Sequence, residues 1–239
     1  MRAYPVPPPR RTFTGIELTA RKRFADNWQL LASYLYSRLE GNYDGNFQAS
    51  TNQVDPNINS AYDYAEFEVN TRGWLTNDRR HQFVLNGTYR FPFGLDLGLS
   101  AYYRTGIPVT AMGYDYWYNN WELYLSRRGM WDRTDSEYEM NLHLGYPLKL
   151  GGVEINLLLD VFNLIDRQGE TARDTRYDLW QVLDVINYET GEVLPPIKKG
   201  TPCTSLVSAD NAFTCNSVFN TANAWQDPRS VRLGVRITF

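Results

Sequence analysis

Few side chains in this sequence have the types and spacing that catalysis requires. The chain contains two histidines, His81 and His143, and a Ser100–His143 pair is the one combination that could supply a nucleophile and a base. No Gly-x-Ser-x-Gly turn surrounds Ser100, and no third residue follows at triad spacing. The sequence also lacks a phosphate-binding glycine loop and a cluster of metal ligands. We therefore expect no enzymatic activity, no cofactor and no metal.

A dense group of aromatic residues could bind a ligand instead. It consists of Tyr114, Tyr116, Trp117, Tyr118 and Trp121. Aromatic rings stack on sugar or chelator rings through their apolar faces. The alternative is that these rings pack against one another within a loop at the membrane rim. The sequence leaves both interpretations open.

Seven segments that must position these residues alternate apolar and polar residues with a period of two. They span residues 12–24, 28–38, 81–91, 95–105, 138–148, 153–163 and 229–239. The first has 13 residues and the others have 11, about the length that a tilted strand needs to cross a bilayer, whereas strands average only about 5–6 residues in soluble sheets. The pattern predicts an antiparallel transmembrane β-barrel whose apolar face contacts lipid. A soluble β-sandwich, which also alternates, is the competing interpretation.

The connections between the segments are asymmetric. Short turns at 25–27, 92–94 and 149–152 alternate with long loops at 39–80, 106–137 and 164–228. This arrangement is typical of outer-membrane barrels, with short turns in the periplasm and long loops outside the cell. Aromatic residues near both strand ends predict two interfacial girdles: Phe24, Trp28, Phe91, Phe93, Tyr146 and Phe239 on the periplasmic side, and Tyr34, Tyr36, Phe83 and Tyr103 on the outer side.

Charged residues are sorted between the two faces. Lys22 is the one charged residue among the predicted lipid-facing positions, and it lies near a strand end, where its ammonium group can reach the headgroups. Six arginines fall on the predicted lumen face: Arg21, Arg23, Arg90, Arg104, Arg232 and Arg236. They could guide an anionic ligand or pair with lumen acids; the candidate acids are Glu17, Asp96, Glu139, Glu154 and Asp160.

Composition narrows the class of protein further. The mean hydropathy of −0.48 and the lack of a long apolar run exclude a helical membrane protein. A net charge of −3 argues against nucleic acid as a partner. Cys203 and Cys215 lie in one predicted loop, and either a disulfide in an oxidising compartment or two free thiols fits them.

The first residues show no apolar signal-peptide region. Because an outer-membrane protein needs such a signal, we expect this chain to be the C-terminal piece of a longer protein. Residues 1–10 are interpreted as a Pro-rich loop remnant and residues 11–239 as barrel. Seven strands is an odd number, so we expect that the chain does not close a barrel alone.

Several short segments, in their order and spacing, resemble the C-terminal barrel portion of TonB-dependent outer-membrane receptors, particularly the Oar-like group. They are residues 15–18, 22–24, 28–34, 41–43, 77–81, 89–94, 104–108, 160–164 and 226–239. The resemblance implies a plugged barrel of the 22-strand type, of which these strands would form the last third. It also implies uptake of a scarce ligand: an iron chelate, cobalamin, a saccharide or a peptide.

The resemblance has further implications for partners. These are outer-membrane lipid, the upstream plug and barrel strands of the parent protein, and the TonB–ExbB–ExbD complex, which would act only through the plug that this sequence lacks. The lumen arginines could contact that plug. Val235, Ile237 and Phe239 resemble the signal read by the barrel-assembly machinery, although they also fit as plain lipid-facing residues. The alternative function is a plug-less porin-like barrel or a surface-adhesion barrel without active transport.

Overall fold

Strands dominate the structure, a computed structural model that describes residues 6–51, 53, 55–181 and 183–239. In chain order they are β1 (Arg11–Ala25), β2 (Trp28–Gly41), β3 (Gly73–Trp74), β4 (His81–Arg90), β5 (Asp96–Arg104), β6 (Pro108–Val109), β7 (Met112–Asp115), β8 (Asn120–Tyr124), β9 (Asp132–Arg133), β10 (Glu137–Leu150), β11 (Val153–Phe162), β12 (Glu170–Arg173), β13 (Ile186–Asn187), β14 (Glu192–Val193), β15 (Ala222–Trp225) and β16 (Ser230–Thr238). Seven of them are long and correspond to the seven predicted segments.

The long strands form one antiparallel sheet in the order β1-β2-β4-β5-β10-β11-β16, and the short β3 adds to β2. Each long strand pairs with the long strands that come before and after it in the chain, as in an up-and-down barrel wall. Within the described residues, β1 and β16 are the two edges, so the sheet is open. Among the described residues, the structure contains no helix long and apolar enough to cross a membrane.

The register places the predicted lipid-facing residues in continuous rows. Ala32 pairs with Leu85, Leu85 with Ala101, and Ala101 with Met140. The rows continue across β11 to β16, where Leu233 leaves 79% of its surface exposed. An exposed apolar face of this extent is suited to lipid and not to water. The predicted fold class, an antiparallel transmembrane barrel wall, is confirmed.

Aromatic side chains lie at both ends of this apolar face. At the outer end, Tyr34, Phe83, Tyr103 and Tyr138 pair in sequence across four adjacent strands. At the periplasmic end, Lys22 Nζ lies 4.1 Å from the centroid of the Trp28 ring and donates a hydrogen bond to the Ala25 carbonyl oxygen at 2.6 Å. These features match interfacial belts, in which amphipathic rings and long cationic side chains lie at headgroup level.

Two of the short turns contain fewer residues than predicted. Asp26 and Asn27 have φ values of 52° and 68° and form a two-residue hairpin turn, which matches the twist of the flanking strands. The turn predicted at 149–152 is shorter, because Lys149 pairs with Glu154 and Leu150 with Val153. Only two glycines remain there. The predicted loop 1–10 lies partly outside the described residues, and residues 6–10 lack regular structure.

The long connections, predicted only as loops, fold together into an outer cap comprising residues 42–80, 105–136 and 163–229. Among the described residues the cap holds nine short strands, and its four 3-10 helices are Ala49–Thr51, Ala65–Glu68, Cys203–Ser205 and Ala209–Thr214. Its buried cluster contains Phe67, Val69, Val109, Ala111, Leu123, Leu125, Trp131, Tyr177, Val185, Ile186 and Cys203. The water-excluded core therefore lies in the cap, whereas the sheet presents its apolar side chains outward.

Candidate functional site

The cap is attached to the sheet through a buried carboxylate. Asp78 is fully buried and accepts a hydrogen bond from the Leu39 backbone N–H at 2.7 Å. The guanidinium groups of Arg80 and Arg133 pair with the same carboxylate. Leu39 lies near the end of β2 and Arg80 directly precedes β4, whereas Arg133 lies in β9 of the cap. The Asp78 side chain therefore links the cap to β2 and β4. Such charge-assisted bonds are strong when they are shielded from water.

A second buried carboxylate, Glu68, lacks such full pairing. It is 2% exposed, and its Oε1 atom has no hydrogen-bond partner within the described part of the chain. Burial raises the pKa of Glu68 to about 7, although hydrogen bonds from Thr71 and Asn42 and the charge of Arg128 act in the opposite direction. The cap therefore contains a carboxyl group that titrates near neutral pH.

The predicted aromatic group divides into two parts in the structure. Tyr114 and Trp121 lie on the hairpin of β7 and β8, with ring centroids 5.4 Å apart. Trp121 Nε1 donates to the Asp178 carbonyl oxygen at 2.7 Å, and Tyr118 packs edge-on against Phe67 at 5.2 Å. These three predicted residues therefore fit the alternative interpretation, packing within the cap.

Tyr116 and Trp117 lie at the tip of the same hairpin and are 58% and 79% exposed. Their rings meet edge to face at 5.8 Å. Trp180, which the sequence pattern did not indicate, joins them: it is 56% exposed, meets the Tyr116 ring edge to face at 6.3 Å, and stacks on Tyr114 at 5.8 Å with an interplanar angle of 10°. Tyr116, Trp117 and Trp180 are called the aromatic patch below. Trp180 lies far from the hairpin in sequence, so no local signal connects it to the group.

Carboxylates contact other tyrosines of the same hairpin and of the cap. Tyr118 donates its hydroxyl to Asp63 and its backbone N–H to Asp115 at 2.8 Å. The hydrogen bond to Asp63 raises the pKa of Tyr118 to about 12. Burial, followed by the charges of three further acids, raises the pKa of Tyr188 to about 12; these acids are Glu66, Asp184 and Asp115. The nearby Arg176, over the Trp121 ring, is paired with Asp174. The local potential is therefore negative.

The predicted lumen arginines behave in two ways. Arg90 pairs with Asp96, Arg232 with Asp160, and Arg104 with Glu137 at 3.0 Å. Glu137 was not among the predicted acids, because β10 begins one residue earlier than the sequence pattern indicated. Within the described ion pairs, the remaining three do not take part: Arg21, Arg23 and Arg236.

The histidines lie on opposite faces of the sheet. His143 Nδ1 contacts Asp160 on the lumen face, whereas His81 Nδ1 contacts the Tyr34 hydroxyl at 2.8 Å on the lipid-facing side. The Ser100 hydroxyl donates to Asn86 at 2.9 Å and not to His143. The structure therefore does not join the nucleophile and base considered from the sequence.

Three further sets of predicted residues have clear positions. Cys203 and Cys215 form a disulfide with a Cα–Cα distance of 5.7 Å. Val235 and Ile237 lie on the apolar face of β16, opposite Leu157 and Ile155 of β11, so their assembly role stays a prediction. The described residues contain no group of three or more His, Cys, Asp or Glu side chains that could hold a metal ion.

An apolar sheet exterior, aromatic belts, short turns at one end and a folded cap at the other define the wall of an outer-membrane β-barrel. The sequence model of a family described as outer membrane beta barrel domain matches residues 7–104. The TonB-dependent transporter Oar from Myxococcus xanthus is 31% identical over 255 aligned residues, which cover 98% of this chain. The predicted resemblance to TonB-dependent receptors of the Oar-like group is therefore confirmed, as is location in the outer membrane of a Gram-negative bacterium.

The chain spans 23% of the length of that transporter, so the match covers only part of the relative. Among solved structures, the siderophore receptor PiuA from Acinetobacter baumannii is 18% identical, with a TM-score of 0.44 over 68% of this chain and 19% of that receptor. Similarity at this level carries no information about the ligand of this chain.

Proposed function

We propose that this chain forms part of the wall and the extracellular cap of a TonB-dependent transporter, and that the aromatic patch makes the first contact with the ligand. The observation that supports this proposal is a cap with its own buried core that exposes three large aromatic rings to solvent. Exposed aromatic clusters on a well-packed support are typical of recognition surfaces. The rest of the transporter, including the plug that would engage TonB–ExbB–ExbD, belongs to the parent protein in this proposal.

The electrostatics of the patch favour a neutral or cationic ligand. An anionic ferric chelate would approach Asp63, Asp115 and Asp184 against a repulsive potential. A saccharide, in contrast, presents apolar ring faces to tryptophan and hydroxyl groups to carboxylates and amides. Among the ligand classes that the family resemblance implies, a saccharide therefore fits the patch best, ahead of an anionic iron chelate.

Uptake by cells tests this proposal. The gene is altered to encode a Trp117→Ala, Trp180→Ala double variant, and uptake of labelled oligosaccharides, ferric chelates and cobalamin is measured against concentration. Each lost ring contact is worth about 0.5–1.5 kcal/mol, so loss of two contacts should raise the half-saturating concentration of the true ligand roughly 5-fold to 150-fold. Phe213, also 79% exposed on the cap, supplies the matched control: Phe213→Ala should leave uptake unchanged.

Two results would contradict the proposal in different ways. If uptake of every ligand is the same in the double variant as in the wild type, the patch is not the capture site. If a protonophore leaves uptake unchanged, the barrel is a passive, porin-like channel instead, because TonB-driven transport needs the proton gradient. Surface abundance of each variant is measured in parallel by antibody labelling of whole cells.

A further inference from the structure

A cleft lined by arginines lies at the outer rim of the lipid-facing side of the sheet. Its volume is about 370 Å³, and residues of β1, β2, β3 and the cap line it. Arg10, Arg72 and Arg127 contribute exposed side chains, while Glu40 is the one carboxylate in the lining. The ion pairs of the described cap use other arginines and leave these three without a carboxylate partner; the paired ones include Arg79, Arg128, Arg133, Arg167, Arg173 and Arg176. The cleft therefore carries a net positive charge.

Two glycines fix the backbones that carry these arginines. A Cβ atom on Gly41 would lie 2.0 Å from the carbonyl oxygen of Arg10, and one on Gly73 would lie 2.0 Å from that of Arg128. Neither position has room for a side chain. The Asn42 backbone N–H donates to the Arg10 carbonyl oxygen at 3.0 Å, which holds the same close approach. Close packing of the backbone therefore fixes the positions of the segments that form the cleft.

The register places this cleft at the height of lipid headgroups. Glu40 pairs with Trp74 and lies on the same face of β2 as Tyr36. Tyr36 is four residues closer to the apolar band than Glu40 is. Four residues advance about 13 Å along a strand, which is about 9 Å along the membrane normal at a tilt of about 45°. The polar region of one leaflet is about 5–7 Å thick. Because Tyr36 belongs to the outer aromatic belt at headgroup level, the cleft lies near the outer edge of this polar region.

Neighbouring residues extend the same chemistry. Arg38 lies between Tyr36 and Glu40 on this face and is exposed. The guanidinium of Arg80, whose charge is paired with Asp78, lies with its carbon 3.8 Å from the ring centroid of Trp74 and so fixes that ring at the cleft wall. Guanidinium groups bind phosphate oxygens in a bidentate manner, and tryptophan favours the membrane interface.

We propose that this cleft binds the phosphate groups of a lipid in the outer leaflet, and that the adjoining apolar face of β1 and β2 contacts its acyl chains. Two observations select a lipid over a soluble anion: the cleft opens on the lipid-facing side, and it is continuous with the apolar face. The lipid fixes the outer rim of the sheet at one depth in the membrane. This inference is independent of the ligand that the aromatic patch binds.

Native mass spectrometry of the full chain in detergent micelles tests the assignment. The probe is lipid A, a phosphorylated glucosamine lipid, and the reference is the same lipid without its phosphates. We expect one retained lipid A, and about tenfold weaker binding in the Arg10→Gln, Arg72→Gln, Arg127→Gln variant. The matched control carries the same charge change at the periplasmic end, with Arg21, Arg23 and Arg236 replaced by Gln, and should bind within about twofold of the wild type.

A gain-of-affinity variant guards against loss through misfolding. Glu40→Gln removes the one repulsive charge in the cleft and should strengthen lipid A binding at least twofold. The proposal is overturned if the dephosphorylated lipid binds equally well, if the periplasmic control loses as much affinity as the cleft variant, or if Glu40→Gln weakens binding. Displacement of lipid A by excess inorganic phosphate alone would also overturn it, because the site would then be one for a soluble anion.

Discussion

Replacement of Glu68 by Gln should make the cap more stable at high pH and should leave it unchanged at low pH. The carboxyl group of Glu68 ordinarily titrates at 4.5, whereas burial raises its pKa to about 7 in the cap. Gln has nearly the same shape and carries no charge, so it resembles the protonated acid at every pH. The Oε1 atom that lacks a partner in the described structure does not become charged in the variant.

The size of the effect follows from proton linkage. Between pH 4.5 and 7 the folded cap holds a proton on Glu68 that the unfolded chain has lost, so stability falls as the pH rises through this interval. Each unit of pKa difference corresponds to about 1.4 kcal/mol, which sets an upper value of about 3 kcal/mol. Above pH 7 the variant should exceed the wild type by about 2–3 kcal/mol, and near pH 4.5 the two should be equal.

Hydrogen exchange measured on peptides of the cap core provides the assay. Exchange chemistry itself depends on pH, but the ratio of wild-type to variant rates at one pH cancels that dependence. At pH 8 the cap amides of the Glu68→Gln variant should exchange roughly 30-fold to 150-fold more slowly than those of the wild type. Glu66→Gln, on the same 3-10 helix, is the control and should follow the wild type at every pH.

A ratio of wild-type to variant exchange rates that stays constant between pH 4.5 and 8 would refute this prediction. Such a constant ratio would mean that the pKa of Glu68 is the same in the folded cap as in the unfolded chain. Slower exchange in the long strands as well as the cap would show that the substitution acts on the whole chain instead.

Three further predictions concern the sheet, its link to the cap, and the disulfide. Leu85→Arg places a charge near the middle of the lipid-facing side and should lower the unfolding free energy in vesicles by about 2–4 kcal/mol, whereas Asn86→Arg, on the lumen face, should cost under about 1 kcal/mol. Asp78→Asn leaves two guanidinium groups near a neutral side chain and should cost about 3–5 kcal/mol, seen as faster exchange of the β2 and β4 outer ends. Reduction of the disulfide between Cys203 and Cys215 should lower the free energy of cap opening by about 2–3 kcal/mol and leave strand protection intact.

The long strands could be predicted closely because one physical constraint acts on all of them. A strand between lipid and water must alternate, so each predicted boundary falls within a few residues of the structure. The same constraint placed Lys22 at a strand end. The start of β10 at Glu137 was not predicted, because the strand there has left the membrane and alternation is no longer required.

The cap could not be predicted, because no periodic constraint acts on it. Its strands are two to five residues long, too short for a pattern to emerge. Two of its buried carboxylates bond to residues distant in sequence: Asp78 accepts the Leu39 backbone N–H at 2.7 Å, and Asp178 accepts the Tyr114 backbone N–H at 2.7 Å. For the same reason only two residues of the aromatic patch, Tyr116 and Trp117, could be predicted. Trp180 comes close to the hairpin tip only when the whole cap folds.

The division of the cap among three distant loops has a consequence for how the protein is assembled. Each hairpin of the wall closes through a turn of a few residues and can form locally, soon after its strands meet. The cap core, in contrast, needs Phe67 from the first loop, Leu123 from the second and Tyr177 from the third at the same time. It can condense only after six strands stand side by side with their outer ends exposed beyond the membrane. We therefore expect cap formation to be late and cooperative, and we expect a chain with one misplaced hairpin to leave its cap residues unfolded and open to proteases.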